Sequence, residues 1–144
     1  MAQAERSAAN EDLAQIRESV RALCAKFPGE YWRALDRERA YPTEFVAALT
    51  QAGFLAALIP EEYGGSGLSM TAAAAIMEEI QASGCNGAAC HAQMYTMGTL
   101  LRHGSAAQKA RWLPAIASAS CGCRPSASPS RHRAPTRSTC APPP

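Results

Sequence analysis

A chain of 144 residues with 47% hydrophobic content and 6% aromatics holds enough material for one core and too little for two. Alanine supplies much of the apolar share, which favours close-packed helices over a sheet sandwich. No apolar run reaches the length of a membrane span, and the N-terminal acids, beginning at Glu5, are foreign to a signal or transit peptide, so a cytoplasmic protein without membrane contact is expected.

Six cysteines in such a chain point to free thiols. Neither Cys85-x4-Cys90 nor Cys121-x-Cys123 has zinc-ligand spacing, so no metal and no disulfide framework are expected. The net charge of +2 divides unevenly. Residues 1–120 carry all 12 acids and 10 of the 14 Lys and Arg, a balance of −2, and the four arginines of residues 121–144 reverse the sign.

In chain order, residues 1–9 are expected to be disordered, and Asn10 is placed to cap a first helix over 11–27. Its apolar stripe is Leu13, Ile16, Val20, Leu23 and Phe27, and Pro28-Gly29 is its stop. Tyr31, Trp32 and Leu35 predict a short helical turn, with Asp36 to Arg39 as its solvated continuation. Pro42 suits the first position of a third helix bearing Phe45, Val46 and Leu49, which ends at Gly53. Phe54 to Ile59 reads as a short apolar connector packed into the core.

The stretch Ile59-Pro60-Glu61-Glu62-Tyr63-Gly64-Gly65-Ser66-Gly67-Leu68-Ser69 then breaks the helical pattern. Pro60 has no backbone donor and the glycines take positive φ cheaply, so a shaped loop is required, with Ser69 as the cap of the next helix. That helix contains Ala72 to Ala75, Ile76, Met77 and Ile80, and Gly84 closes it. From Asn86 to Arg102, the residues Cys90, Met94, Met97, Leu100 and Leu101 recur at helical spacing and define the core helix, ended by Gly104. Ser105 and Gln108 form a capping box for a last helix whose buried positions are expected at Trp112, Leu113 and Ile116. Pro114 is expected to truncate or kink it.

The expected fold class is therefore all-α, a bundle of about five or six helices over residues 10–118. Residues 119–144 form a basic tail rich in proline, serine and arginine. From 121 onward it contains no Leu, Ile, Val, Phe or Met, and it is expected to be disordered.

Most chemical readings fail on spacing. Gly64-Gly65-Ser66-Gly67 lacks the lysine of a phosphate loop and the strand-then-helix setting of a dinucleotide site. Glu61 and Glu62 are adjacent rather than facing, and Glu78 and Glu79 read as a helix surface. Cys90 and His91 diverge by about 100° on a helix, too far apart for a nucleophile and base. His103 at the helix end eases the dipole. Met94, Tyr95, Met97 and Gly98 are kept as substrate-pocket candidates, because thioethers adapt to apolar guests and a mid-helix glycine leaves room for close approach. The four tail arginines are too few and too interrupted for a nucleic-acid footprint, so no nucleic-acid partner is expected.

Three stretches, Ile59 to Leu68, His91 to Gly98, and Leu100 to Ser105 leading to Gln108-Lys109 and Trp112-Leu113-Pro114, have an order and spacing that resemble the N-terminal helical domain of acyl-CoA dehydrogenases. The resemblance covers about residues 10 to 118. It implies an FAD flavoprotein oxidoreductase of fatty-acid metabolism, oxidising the α,β carbon pair of an acyl-CoA thioester. In that family a glutamate base removes the α proton, the flavin accepts the β hydride, and an electron-transfer flavoprotein reoxidises it.

The family's base and most of its flavin contacts belong to a middle β-domain and a C-terminal helical domain. No residue of this chain therefore inherits a catalytic or cofactor-binding role, FAD is not expected to be held tightly by the chain alone, and the isolated chain is expected to be inactive. Acyl-CoA, the electron-transfer flavoprotein and a homo-oligomeric assembly are what the resemblance implies as partners. The helix bearing Met94 and Gly98 matches the family helix that helps line the acyl pocket. The alternative reading is a non-catalytic helical binding module that uses the same apolar groove.

The tail departs from the family pattern in a specific way. When each codon is rebuilt from the last base of one and the first two of the next, Cys121 to Arg137 can yield L-R-L-Q-A-F-G-V followed by T-E-P-T-S-G-S-D-T, the run that opens the family's β-domain. A single-base loss near Ser118-Ala119 is the expectation drawn from this.

Overall fold

The computed structural model describes the backbone of residues 2–118 and the side chains of residues 12–118. Among the described residues there are six α-helices, α1 (Ala2–Cys24), α2 (Gly29–Glu38), α3 (Thr43–Gln51), α4 (Met70–Ala82), α5 (Ala88–His103) and α6 (Ala106–Ala117), and no strand. Two single 3-10 turns, Phe54–Ala56 and Glu61–Tyr63, punctuate the link from α3 to α4. The all-α reading holds for these residues. The expected disordered tail falls on residues 119–144, outside the described part of the chain.

The helix stops act where the residues demand them, with a few displacements. α1 starts at Ala2, so Asn10 lies inside it rather than at its cap, and the helix runs through the stretch expected to be unstructured. Ala2, Gln3, Ala4, Glu5 and Arg6 are strong helix formers, and their propensity outweighs the signal at Asn10. α1 also ends at Cys24, short of Phe27. Pro28 in extended conformation then serves as the N-cap of α2, which is longer than the turn expected from Tyr31, Trp32 and Leu35. α6 continues through Pro114 to Ala117, so the proline does not truncate it; it removes one donor to the preceding turn while the apolar contacts of Leu113 and Ile116 hold the helix in place.

Packing pairs α1 with α4 and α5 with α6, while the Phe54–Ala56 turn touches α3, α5 and α6. Val20, Phe45, Leu49, Ile59, Ile76, Ile80, Cys90, Met97 and Leu113 have essentially no exposed surface and form one continuous core. Each large apolar side chain buried this way contributes about 1.5–3 kcal/mol. Trp112, expected inside, is half-buried and lies under the Arg111 guanidinium.

The loop before α4 is a folded unit of its own. Ser66, Gly67 and Leu68 donate their backbone N–H groups to the carbonyls of Ala56 (3.3 Å), Ile59 (2.8 Å) and Ala57 (2.7 Å), and Gly65 donates to Pro60 (3.2 Å). These bonds fold the loop back on the Phe54–Ala56 turn. Gly65 is the residue this closure depends on, because a Cβ there would sit 2.1 Å from the Ile59 carbonyl oxygen. Ser69 then accepts from Ala72 N–H at 3.2 Å and opens α4.

Candidate functional site on helix α5

α5 begins where the Asn86 side chain accepts the Ala88 N–H (2.9 Å) and ends at Gly104, whose N–H donates to Leu100 (2.8 Å). Within it the four pocket candidates separate. Met97 is wholly buried and Met94 is 9% exposed, both against the core. Tyr95 is 70% exposed on the other side of the helix. Gly98 lies at the edge between these sides, half-buried, and a Cβ built on it would meet nothing within 4 Å. The structure therefore does not gather the four around one hollow among the described residues; it sets two into the core and leaves two beside open space.

The surrounding chemistry is unreactive. Thr96 and Thr99 donate their hydroxyls to the carbonyls of Ala92 (2.8 Å) and Tyr95 (2.9 Å) on their own helix, which leaves neither as a committed donor to a ligand. Burial pushes the Cys90 thiol up to about 12, while its neighbour His91 is exposed. With its thiol buried and His91 on the solvent side, the pair is not arranged as a nucleophile and its base. Among the described residues no group of three or more His, Cys, Asp or Glu side chains is disposed to hold a metal ion, and no helix is long and apolar enough to cross a membrane.

Two open grooves lie away from these residues. One of about 660 Å³ runs along α1 beneath Ile16, Leu23, Phe54 and Leu68. The other, of about 410 Å³, runs from α2 to the turn after α4 and is lined by Trp32, Leu35, Pro42, Gly84 and Cys85.

The acidic pair on α4 behaves asymmetrically. Glu78 is exposed as expected, but Glu79 is only 7% exposed, which corrects its reading as a helix surface. Its carboxylate accepts from Arg21 Nε at 2.9 Å and lies 3.7 Å from Arg17 Nη1, and Arg17 also pairs with Glu78. The bond to Glu79 raises the Arg21 pKa. Arg17 and Arg21 stand one turn apart on α1, and that spacing was the available signal for a clamp between α1 and α4.

The family model described as "Acyl-CoA dehydrogenase, N-terminal domain" matches residues 10–120. The chain belongs to the acyl-CoA dehydrogenase family. It is 35% identical over 105 residues to the probable acyl-CoA dehydrogenase fadE25 of Mycobacterium leprae, covering 72% of this chain and 27% of that protein. It is 33% identical over 112 residues to acyl-CoA dehydrogenase FadE12 of Mycobacterium tuberculosis, covering 77% of this chain and 29% of that one. The mitochondrial short-chain specific acyl-CoA dehydrogenase of Mus musculus is 38% identical over 82 residues, 55% of this chain and 20% of the mouse protein. No solved structure is significantly similar to the chain. This acyl-CoA dehydrogenase chain thus spans less than a third of the length of these relatives.

Acyl-CoA dehydrogenases are FAD-dependent as a family, and the fit of this helical part to a flavin can be judged on its polar atoms. Among the described residues every buried side-chain nitrogen and oxygen already has a hydrogen-bond partner, and the two grooves are open rather than enclosing. The described residues therefore do not fit a flavin on their own.

Proposed function

We propose that this chain is the N-terminal helical part of an FAD-dependent acyl-CoA dehydrogenase, acting with family-type middle and C-terminal domains on an acyl-CoA thioester in the cytoplasm. On this reading residues 10–118 are the helical domain, 1–9 an N-terminal extension and 119–144 a tail outside the fold. Catalytic base and flavin contacts come from the other domains, the isolated chain is inactive, and the complete enzyme is a homo-oligomer that passes electrons to an electron-transfer flavoprotein.

The observation that carries the proposal is the match of the family model across residues 10–120. Within it, α5 is the wall of the acyl site. What supports that placement is the open space over Gly98 beside the exposed Tyr95: a mid-helix glycine costs about 1 kcal/mol relative to alanine, and nothing in the described fold needs its lack of a side chain. Met94 and Met97 back this surface from the core and give it a deformable support.

The test has two arms. Genomic sequencing across Ser118-Ala119 is expected to reveal the family's β-domain in the adjacent frame, and its absence would remove the frame-loss account of the tail. The frame-restored protein is expected to bind FAD and reduce an artificial dye with acyl-CoA, whereas the 144-residue chain mixed with FAD is expected to stay colourless after desalting. A stoichiometric yellow complex of the 144-residue chain would overturn the claim that it cannot hold the flavin. A frame-restored protein that binds acyl-CoA but never reduces the dye would favour the binding-module reading.

A further inference from the structure

The core contains a pair of free, buried thiols outside the site on α5. Cys24 is the last residue of α1 and Cys85 follows the turn that ends α4; both are buried, at 3% and 4% exposure. The Cys85 thiol points at the Cys24 carbonyl oxygen, 3.9 Å away, and the Cys24 pKa is raised first by burial and next by the neighbouring Cys85. Each sits at a helix end beside exposed residues, Ala25 and Lys26 on one side and Ser83, Gly84 and Asn86 on the other. Cys85 lines the groove of about 410 Å³, so it is the member of the pair that solvent-borne reagents meet first. Gly84, at φ 76, has nothing within 4 Å of a built Cβ, which leaves the turn free space in which to move. Cys90 belongs to the same cluster but is wholly buried and lines neither groove.

We propose that Cys24 and Cys85 are a latent disulfide site, closed in two steps by a low-molecular-weight disulfide entering along the groove. The Cys85 thiolate attacks one sulfur of the reagent; the reagent's own S–S bond breaks, a mixed disulfide forms, and one small thiolate leaves and takes up a proton. Cys24 then gives up its proton and attacks the Cys85 sulfur. The mixed bond breaks, the Cys24–Cys85 bond forms, and the second small thiol leaves. Two electrons pass from the protein thiols to the reagent, which ends as two thiols. Burial holds the Cys24 thiol up at about 12, which makes the second step the slow one. The product ties the end of α1 to the α4–α5 turn and cross-links two helices already packed together.

The full 144-residue chain treated with oxidised glutathione, acid-quenched, alkylated and digested with trypsin tests this. The expected product joins the peptide of residues 22–26 to that of residues 40–102, with fragmentation placing the bond on Cys85, and with the far-UV circular dichroism unchanged. Cys24→Ala is expected to stop at a glutathione adduct on Cys85, and Cys85→Ala to leave Cys24 unmodified. If either variant loses its helical spectrum, the time course of the unaltered chain decides: the adduct on Cys85 must appear before the cross-link. A bond placed on Cys90, a first adduct on Cys24, or modification of the pair only after denaturant is added would overturn the proposal.

Discussion

The loop from Ala57 to Ser69 and helix α5 both set glycine among apolar residues, yet they differ in how far their roles are settled within this chain. In the loop Gly65 answers to a neighbour a few positions away, the Ile59 carbonyl. In α5 the special residue, Gly98, answers to nothing in the described fold. A glycine required by its own backbone is a folding device; a glycine with empty space over it is an opening toward something else.

Substitutions can break or sharpen that contrast. The largest effect is expected from Gly65→Ala, since the new methyl would meet backbone rather than a yielding side chain. Loss of more than about 3 kcal/mol in urea unfolding, or failure to fold, is the expected outcome, and a loss below about 1 kcal/mol would mean that the loop is not closed as described.

Next is the divide within α5. Met97→Ala should cost about 2–5 kcal/mol through the cavity it leaves, whereas Tyr95→Ala should change stability by less than about 0.5 kcal/mol. Equal losses would dissolve the distinction between the two sides of the helix. Ser105→Ala removes half of the capping box, in which Gln108 N–H donates to Ser105 Oγ at 3.2 Å and Ser105 N–H donates to Gln108 Oε1 at 2.8 Å. A loss of about 1 kcal/mol is expected.

The smallest effect has the opposite sign. Gly98→Ala should stabilise the isolated chain by about 0.5–1 kcal/mol, by raising helix propensity where there is room for the methyl. In the frame-restored protein the same change should weaken turnover of acyl-CoA. A variant that is less stable in isolation would show that Gly98 is packed after all.

What could be read from the sequence follows the same divide. Ser69, Gly84 and the Ser105–Gln108 box were legible because caps and stops act within a turn of themselves, and so was the family-specific loop. The separation of Met94 from Tyr95 was not, because apolar spacing reports which residues share a face and not which face meets a partner. Glu79 shows the complementary failure: beside Glu78 it looks like one more surface acid, and only the docking of α1 brings Arg17 and Arg21 over it. The early start of α1 was missed because a polar cap signal at Asn10 competed with a stretch of strong helix formers.

The corner between α1 and α3 carries one further consequence. Phe27, Tyr31, Trp32 and Phe45 meet edge to face, with ring centroids 4.9–5.1 Å apart, and the Trp32 indole N–H donates to the Phe27 carbonyl at 3.0 Å. Trp112, under Arg111 and half in water, has no such cage. The chain therefore carries two intrinsic optical probes of different kinds. Trp32 should give sharp near-ultraviolet dichroic bands that vanish when the corner opens, and Trp112 a solvent-quenchable emission that follows the surface of α6.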